Sequence, residues 1–441
     1  MTSLEDPALS VPHVADGAHG MAWLRSHVAR FCDGPDHERR RAHAVRLLEA
    51  IDLAHLRRPG HPVATLAAAL GMPRDAVVDV EIAAAGYQPH EPITPHTDAA
   101  VERLVAAAGG ERNEATAARI GLLVQASGAL TAWAKGSVPA VPFTRRRRPS
   151  GEEILIDLTD HPFGAGRHAC PGEEQARALM DGVNRFADLH RGDEPLLLPN
   201  AWDCASATAF VADGYPALGT TSLGVAASHG LPDATGAAYR ETMELARRLS
   251  VLPVPVSIDV EGGFGHDPAE LALDLSVMGI AGINVEDGRG DHLTRAADHA
   301  AAITAIKDAA PALFVNARVD THWLGAARDE TASRVRAYAE AGADGVFVPG
   351  LREERTIEEL VDLLGDVPLN LLAQLPWQRL RDLGVGRVST GSWPFRAAIT
   401  QAAAAVAAYR AGAHPPSARS YEEIERSRKE VFSDPWQPDQ G

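Results

Sequence analysis

The run VSIDVEGGFG at 256–265 ends an apolar stretch with Asp259 and Glu261, one residue apart, and then turns through glycines. Such a pair either decorates an acidic turn or holds a cation. Three neighbouring runs decide between these readings. NVED at 284–287 offers Asn284 and Glu286 with strand spacing and Asp287 beside them, NARVD at 316–320 offers Asn316, Arg318 and Asp320, and Thr220 and Ser222 follow an earlier run in the same way. Period-two spacing puts each set on one face of an extended strand. Arg318 can satisfy only part of the group Asp259, Glu261, Glu286 and Asp287, and burying the remaining carboxylates without a partner would be costly. A hard divalent cation held through carboxylates and water, most simply Mg²⁺, resolves the surplus. Asp259, Glu261 and Glu286 are therefore the expected metal-side residues.

These residues need elements that deliver them to one place. From about residue 193 the chain alternates short apolar runs with helical ones. The strand candidates are 195–200, 215–221, 254–260, 280–287, 312–320, 343–350, 368–373 and 385–391, and the helical segments between them mostly close on glycine. Eight strands separated by helices predict a (β/α)₈ TIM-type barrel within an α/β fold, with the site at the C-terminal ends of the strands. Residues 1–192 are of a different kind: mainly helical, alanine-rich and punctuated by proline, with helices expected over 23–33, 37–56 and 114–134 and a short strand at 154–158. The barrel is expected over 193–412, and a C-terminal helix and tail over 413–441.

The ordered motifs IDVEGGFG, NVEDG and NARVD resemble the isocitrate lyase and phosphoenolpyruvate mutase superfamily over roughly 195–410. That resemblance implies a Mg²⁺-dependent enzyme that makes or breaks a C–C or P–C bond of a small 2-oxo or 2-hydroxy carboxylic acid or phosphonate through an enolate-like species, commonly as a homo-oligomer. It further implies that Asp259 is the principal metal-side aspartate, with Glu261 and Glu286 completing the metal shell, and that Arg318 contacts the substrate carboxylate or phosphonate beside Asn316. In TTSLGVAASHGLPD (220–233) it implies an oxyanion contact around Ser222 and Leu223 and an aspartate, Asp233, near the reacting group. Donors placed where oxyanion charge develops are where catalysis gains most. One departure is plain. The superfamily's lyases carry a K-K-C-G-H type loop, whereas EDGRGDHLTRAADH (286–299) has neither cysteine nor lysine. This sets the chain apart from ordinary isocitrate or methylisocitrate lyases and leaves Asp291 and His292 as substitute proton carriers, with His322 a further candidate.

The N-terminal half carries a second resemblance. HPFGAGRHACPG (161–172) is similar to the haem-binding loop of cytochromes P450, and 32–48 and 115–134 resemble helices of that family in the same order. The resemblance implies Cys170 as an axial thiolate and Arg167 at a haem propionate. The region is short for that family and lacks its E-x-x-R helix and the acid–alcohol pair that delivers protons to bound oxygen. A haem-thiolate or redox protein that uses the barrel as a scaffold is the alternative to the Mg²⁺ enzyme, and a non-catalytic assembly barrel is the third possibility.

Bulk composition narrows the partners. With 42 Lys plus Arg against 59 Asp plus Glu, the net charge of −17 opposes nucleic-acid and anionic-membrane surfaces. RRRR at 145–148 is the one basic cluster and reads as a solvated bend or an anion-contacting patch. Three scattered cysteines, Cys32, Cys170 and Cys204, suit a cytoplasmic protein better than a disulfide framework or cysteine zinc site. MTSLEDPALS has no signal-peptide pattern, and no apolar run reaches the roughly 20 residues of a membrane span.

Overall fold

The computed structural model describes residues 4–137 and 141–432. Of the C-terminal helix and tail expected over 413–441, the helix Tyr421–Phe432 is described and residues 433–441 lie outside the described residues. The chain divides into two compact units, 1–183 and 184–441.

The first unit is built around the helix Glu114–Ala134, which starts where the side chain of Asn113 accepts the Thr116 N–H at 2.9 Å. Most of its faces are buried, so its all-round apolar sequence has a structural cause: it packs against Gly34–Glu49, Pro62–Ala69 and Val77–Ala85. The helices Pro62–Ala69, Val77–Ala85 and Pro95–Ala107 fall in a stretch where the sequence showed alanine but little amphipathic period. RRRR is not a bend. Its first three arginines end β1 (Phe143–Arg147), which pairs antiparallel with β2 (Glu153–Asp157), and Arg146 is buried with its guanidinium on Thr144 Oγ1 and the Arg145 carbonyl, both at 2.9 Å.

The second unit is a parallel barrel. Its segments are β3 (Leu196–Leu198), β4 (Asn200–Ala201), β5 (Leu218–Thr220), β6 (Val256–Asp259), β7 (Gly282–Glu286), β10 (Phe314–Arg318), β11 (Gly345–Phe347), β12 (Leu369–Leu372) and β13 (Arg387–Ser389). Between β7 and β10 a two-residue hairpin is formed by β8 (Gly288–Arg289) and β9 (His292–Leu293). The sheet runs β3-β13-β12-β11-β10-β7-β6-β5-β4. Because β3 and β4 are separated only by Pro199, they are one pass of the chain, pairing first with β13 and then with β5, and the ring closes in eight passes. Asn200 ties the seam: its side chain accepts the Gly391 N–H at 2.9 Å and donates to the Thr220 carbonyl at 2.7 Å.

Alternation along the strands sorts the residues. Val256, Ile258, Ile283, Val285, Val315, Ala317, Val346 and Val388 belong to the large apolar core between sheet and helices. The residues between them face the lumen. Its floor is apolar, with Leu196, Leu198, Ala217, Ala281 and Phe314 packed on Phe186, and the His190 ring stacks on Phe314 at 4.4 Å. Above this floor the lumen becomes polar. Gly219 and Gly345 admit the side chains that cross it, since a Cβ at Gly219 would lie 2.7 Å from Asn200 Nδ2 and one at Gly345 3.0 Å from Asn316 Oδ1.

Candidate active site at the barrel mouth

The strand ends expected to carry the site do converge. Asp259 lies opposite Asn284, which lies opposite Asn316, and Glu286 lies opposite Arg318. At the centre is Arg318, whose Nη1 contacts Glu286 Oε2 at 2.7 Å and whose Nε contacts Asp320 Oδ1 at 2.6 Å. The Trp323 and Phe347 rings lie 5.7 and 5.8 Å from the guanidinium carbon and shield it. Burial works against the Arg318 charge, but Glu286, Asp320 and Asp259 outweigh it and hold the group above the ordinary guanidinium range.

The carboxylates outnumber that cation. Asp259 Oδ2 accepts the Ser222 N–H and Oδ1 the Glu261 N–H, both at a long 3.3 Å, while Thr220 Oγ1 accepts the Asp259 N–H at 2.9 Å. Glu261 is 3 % exposed; its Oε2 accepts the Gly236 N–H at 2.8 Å and its Oε1 has no partner. Desolvation raises the carboxyl pKa of Asp259, Glu261 and Asp320, with Arg318 pulling the other way and Asp233 adding to the rise at Asp259 and Glu261. Glu286 is pushed up to about 8, again chiefly by burial, despite its contact with Arg318. Several buried carboxyl groups thus lean toward the protonated form around one arginine, which marks a surplus of negative charge.

Local backbone explains the placement. After β6 the chain reverses through Glu261 (φ 48°), Gly263 (φ 91°), Phe264 (φ 55°) and Gly265 (φ 78°). Two non-glycine residues in the left-handed region cost about 1–3 kcal/mol each. The strain aims Glu261 back under Gly236, and the Phe264 ring is held by Tyr239 at 5.6 Å. The Arg289 guanidinium lies where a Cβ at Gly262 would stand while donating to the Glu286 carbonyl at 2.6 Å, so a side chain at Gly262 would displace that guanidinium.

Not every expected residue joins the cluster. Asp287 is fully buried on the other face of its strand end, where Oδ2 accepts from Arg334 Nη1 at 2.9 Å and Tyr338 OH at 2.7 Å, and Oδ1 from the Asp320 N–H at 2.8 Å. It is a satisfied structural carboxylate and leaves the surplus. Asp291 and His292 stand exposed at the hairpin between β8 and β9, His292 Nδ1 meeting Asp291 Oδ1 at 3.4 Å. The His322 ring turns to Glu353 at 3.8 Å. Asp233 reaches the group through its charge, and its Oδ1 is buried without a partner. Leu223 follows Ser222 in the short helix Ser222–Ser228, whose first N–H faces Asp259. Asn316 Nδ2 donates to Asn284 Oδ1 at 2.7 Å. Two participants were given no role by the sequence reading, which named Asp320 only for its strand spacing and did not name Arg387. Asp320 is the second partner of Arg318, and Arg387 enters the lumen from β13 to reach Asn284 Oδ1 at 3.2 Å. The signal for Arg387 was a lone basic residue inside the apolar run VGRVS.

Among the described residues no three His, Cys, Asp or Glu side chains converge closely enough to cage one ion directly. The donor set still fits Mg²⁺, which takes few carboxylates and keeps several waters. Asp259 has only long hydrogen bonds, and Glu261 Oε1 has an unused acceptor.

Among the described residues, nothing around the turn at 161–172 in the first unit supports a haem site. Arg167 Nη2 donates to the Leu9 carbonyl at 2.6 Å and contacts Asp33 at 3.2 Å, so the guanidinium is already engaged, and a Cβ at Gly166 would lie 3.3 Å from the Leu4 carbonyl. Cys170 is exposed, its N–H bonded to the Phe163 carbonyl at 2.8 Å.

A parallel barrel with charged residues at the C-terminal ends of its strands defines the class: a TIM-barrel enzyme fold with an acidic mouth. The family model for phosphoenolpyruvate phosphomutase matches residues 186–410, and the chain belongs to that family. An uncharacterized protein of Mycobacterium tuberculosis is 43 % identical over 246 residues, spanning 54 % of this chain and 94 % of its own. The 2-methylisocitrate lyase of Bacillus subtilis is 30 % identical over 205 residues, 44 % of this chain and 67 % of that enzyme. In fold, the crystal structure of phosphoenolpyruvate phosphomutase from Streptomyces platensis subsp. rosaceus superposes with a TM-score of 0.52 at 20 % identity, covering 56 % of this chain and 95 % of that one. The cytochrome P450 resemblance of the first unit gains no support from these matches.

Proposed function

We propose that the barrel is a Mg²⁺-dependent lyase or mutase acting on a C–C or P–C bond of a small 2-oxo or 2-hydroxy carboxylic acid or phosphonate. The observation that carries this reading is the surplus of buried carboxylates around Arg318, with Glu261 Oε1 unpartnered and Asp259 only loosely bonded. In this reading Asp259 and Glu261 hold the ion's water shell, with Glu286 behind them. When bound, the ion would polarise the oxygen on the α-carbon and stabilise it as an enolate-like charge develops. The chain's own groups do the rest. Ser222 N–H, at the start of a helix beside Asp259, is placed to meet a substrate oxygen once the carboxylate turns toward the ion. Arg318, fixed by Glu286 and Asp320, presents its remaining Nη2 edge to an anionic group beside Asn316. Asp233, with one oxygen unpartnered, accepts or returns a proton at the reacting atom. His292 stands too exposed for that role unless its hairpin closes, so Asp233 is preferred.

We extend the proposal to a homo-oligomer in the cytoplasm. Helix Trp393–Arg410 leaves Ile399, Val406 and Tyr409 54 %, 71 % and 82 % exposed at helical spacing, an apolar stripe suited to a second copy. No helix among the described residues is long and apolar enough to cross a membrane. The decisive test screens 2-oxo acids, 2-hydroxy diacids and phosphonates for Mg²⁺-dependent turnover, with Asp259→Ala alongside. Turnover should need Mg²⁺ and drop at least a hundredfold in the variant. Equal turnover and equal Mg²⁺ uptake in the two proteins would sink the assignment.

A further inference from the structure

Below the carboxylates the lumen holds a second polar level, of which the reading above uses only Asn316. Ser257, Asn284, Asn316, Asn370, Arg387 and Ser389 are each 5 % exposed or less. Arg387 Nη2 donates to Asn284 Oδ1 and Nε to Ser389 Oγ, both at 3.2 Å, and Ser389 Oγ donates to Asn370 Oδ1 at 3.1 Å. These partners are all neutral. Arg387 Nη1, Ser257 Oγ, Asn316 Oδ1 and Asn370 Nδ2 have no partner at all.

A buried guanidinium with only neutral partners is an expensive way to fill a barrel, and an aliphatic side chain of similar volume would fill it more stably. The charge therefore calls for a use. It is not consumed as that of Arg318 is, since no carboxylate among the described residues lies in contact with it; burial pulls the group down to about 9, which leaves it charged at neutral pH, and the carboxylate that opposes this is Asp259. Inside a water-excluded lumen such a charge is little screened and acts on whatever enters the mouth. Its effect has a sign: attraction for a carboxylate or a developing enolate oxygen, repulsion for a bare cation.

We propose that Arg387 is a positioning residue of this site, a fixed cation beneath Asp259 that favours anionic substrate over the metal-loaded mouth while opposing uptake of Mg²⁺ alone. Asn284 is the link. It takes the Arg387 hydrogen bond and the Asn316 hydrogen bond on one oxygen, and it lies opposite Asp259 in the sheet. The inference rests on the metal-site reading given under Proposed function.

Calorimetry on the full chain separates the possibilities. Mg²⁺ alone is titrated first, and oxalate, a small dianion, is then titrated at saturating Mg²⁺, for wild type, Arg387→Met, Arg387→Gln and Arg387→Lys. The neutral variants should bind Mg²⁺ severalfold more tightly and oxalate about tenfold more weakly, whereas the lysine variant should keep both affinities near wild type. A structural role would weaken both affinities together. That result, no change in either affinity, or failure of both neutral variants to fold, overturns the proposal. If wild type takes up no Mg²⁺, the metal-site reading itself falls and takes this inference with it; Mg²⁺ uptake with indifferent Arg387 variants sinks the inference alone.

Discussion

Arg318→Met is the perturbation whose size the structure constrains best. It removes a guanidinium that touches Glu286 at 2.7 Å and Asp320 at 2.6 Å in a buried mouth. With an effective dielectric of about 20 and charge centres about 4 Å apart, each pair is worth roughly 4 kcal/mol before desolvation is subtracted. Breaking a buried pair from one side typically costs about 3–5 kcal/mol, because the partner charge stays behind. Here the partners can escape by protonation. Glu286 already stands at about 8 with the arginine present, so without it the group moves higher still, and Asp320, already raised, moves the same way. Between the ordinary carboxyl value near 4.3 and that raised value the native state holds more protons than the unfolded chain, so stability falls as pH rises. The variant's penalty should thus be largest above pH 8 and shrink toward pH 5, where Glu286 is neutral in the native state. Urea unfolding without Mg²⁺ at pH 5.5 and 8.5, read from exchange of the β7 and β10 amides, measures it in this unit. A penalty below about 1 kcal/mol at pH 8.5, or one equally large at pH 5.5, refutes the claim that Arg318 is the counter-ion of this group.

His299, 2 % exposed and set edge-on to the Tyr338 ring at 4.7 Å, is held down to about 4 by burial, so its contribution is present above 6.5 and lost as pH falls through 4. His299→Phe should flatten the acid limb of the stability curve by up to about 3 kcal/mol; an unchanged limb in acid titrations followed by circular dichroism would count against it. For assembly, Val406→Asp with Tyr409→Asp should shift sedimentation velocity from an oligomer to a monomer while leaving thermal unfolding of the monomer unaltered. A wild type that already sediments as a monomer at micromolar concentration removes the oligomer from the proposal.

Much of this arrangement was legible because a barrel strand reads the same way in sequence and in space. Alternation put Ile258 and Val260 toward the helices and Asp259 toward the lumen, and the same rule placed Glu286 beside Arg318. The rule also contained the fate of Asp287, one residue out of phase. What it could not supply was the partner, since Arg334 and Tyr338 lie 47 and 51 residues further along and meet Asp287 only once the helix Thr331–Glu340 has packed. The hairpin failed for a local reason. Gly290, at φ 61°, turns the chain so that Asp291 and His292 point to solvent, and the sequence DGRGDH does not specify which way a glycine will turn. The helices between 62 and 107 were obscured because alanine-rich segments that pack on several sides carry little period.

Arg387 shows why the interior was hardest to read. A sequence reports that an arginine interrupts an apolar run, and the simplest inference is an exposed edge or a salt bridge. Only the closed ring shows that the same side chain is 1 % exposed and has no acidic contact. The two lumen arginines then differ in kind. Arg318 is neutralised where it stands and holds two carboxylates in place, so its loss should be felt first as stability. Arg387 keeps its charge for the mouth above, so its loss should be felt first in which ions the mouth accepts. Stability and ion selectivity are separable measurements, and the opposite orders of effect expected for the two variants distinguish a site built to bind an anion over a metal from a barrel that merely tolerates buried charge.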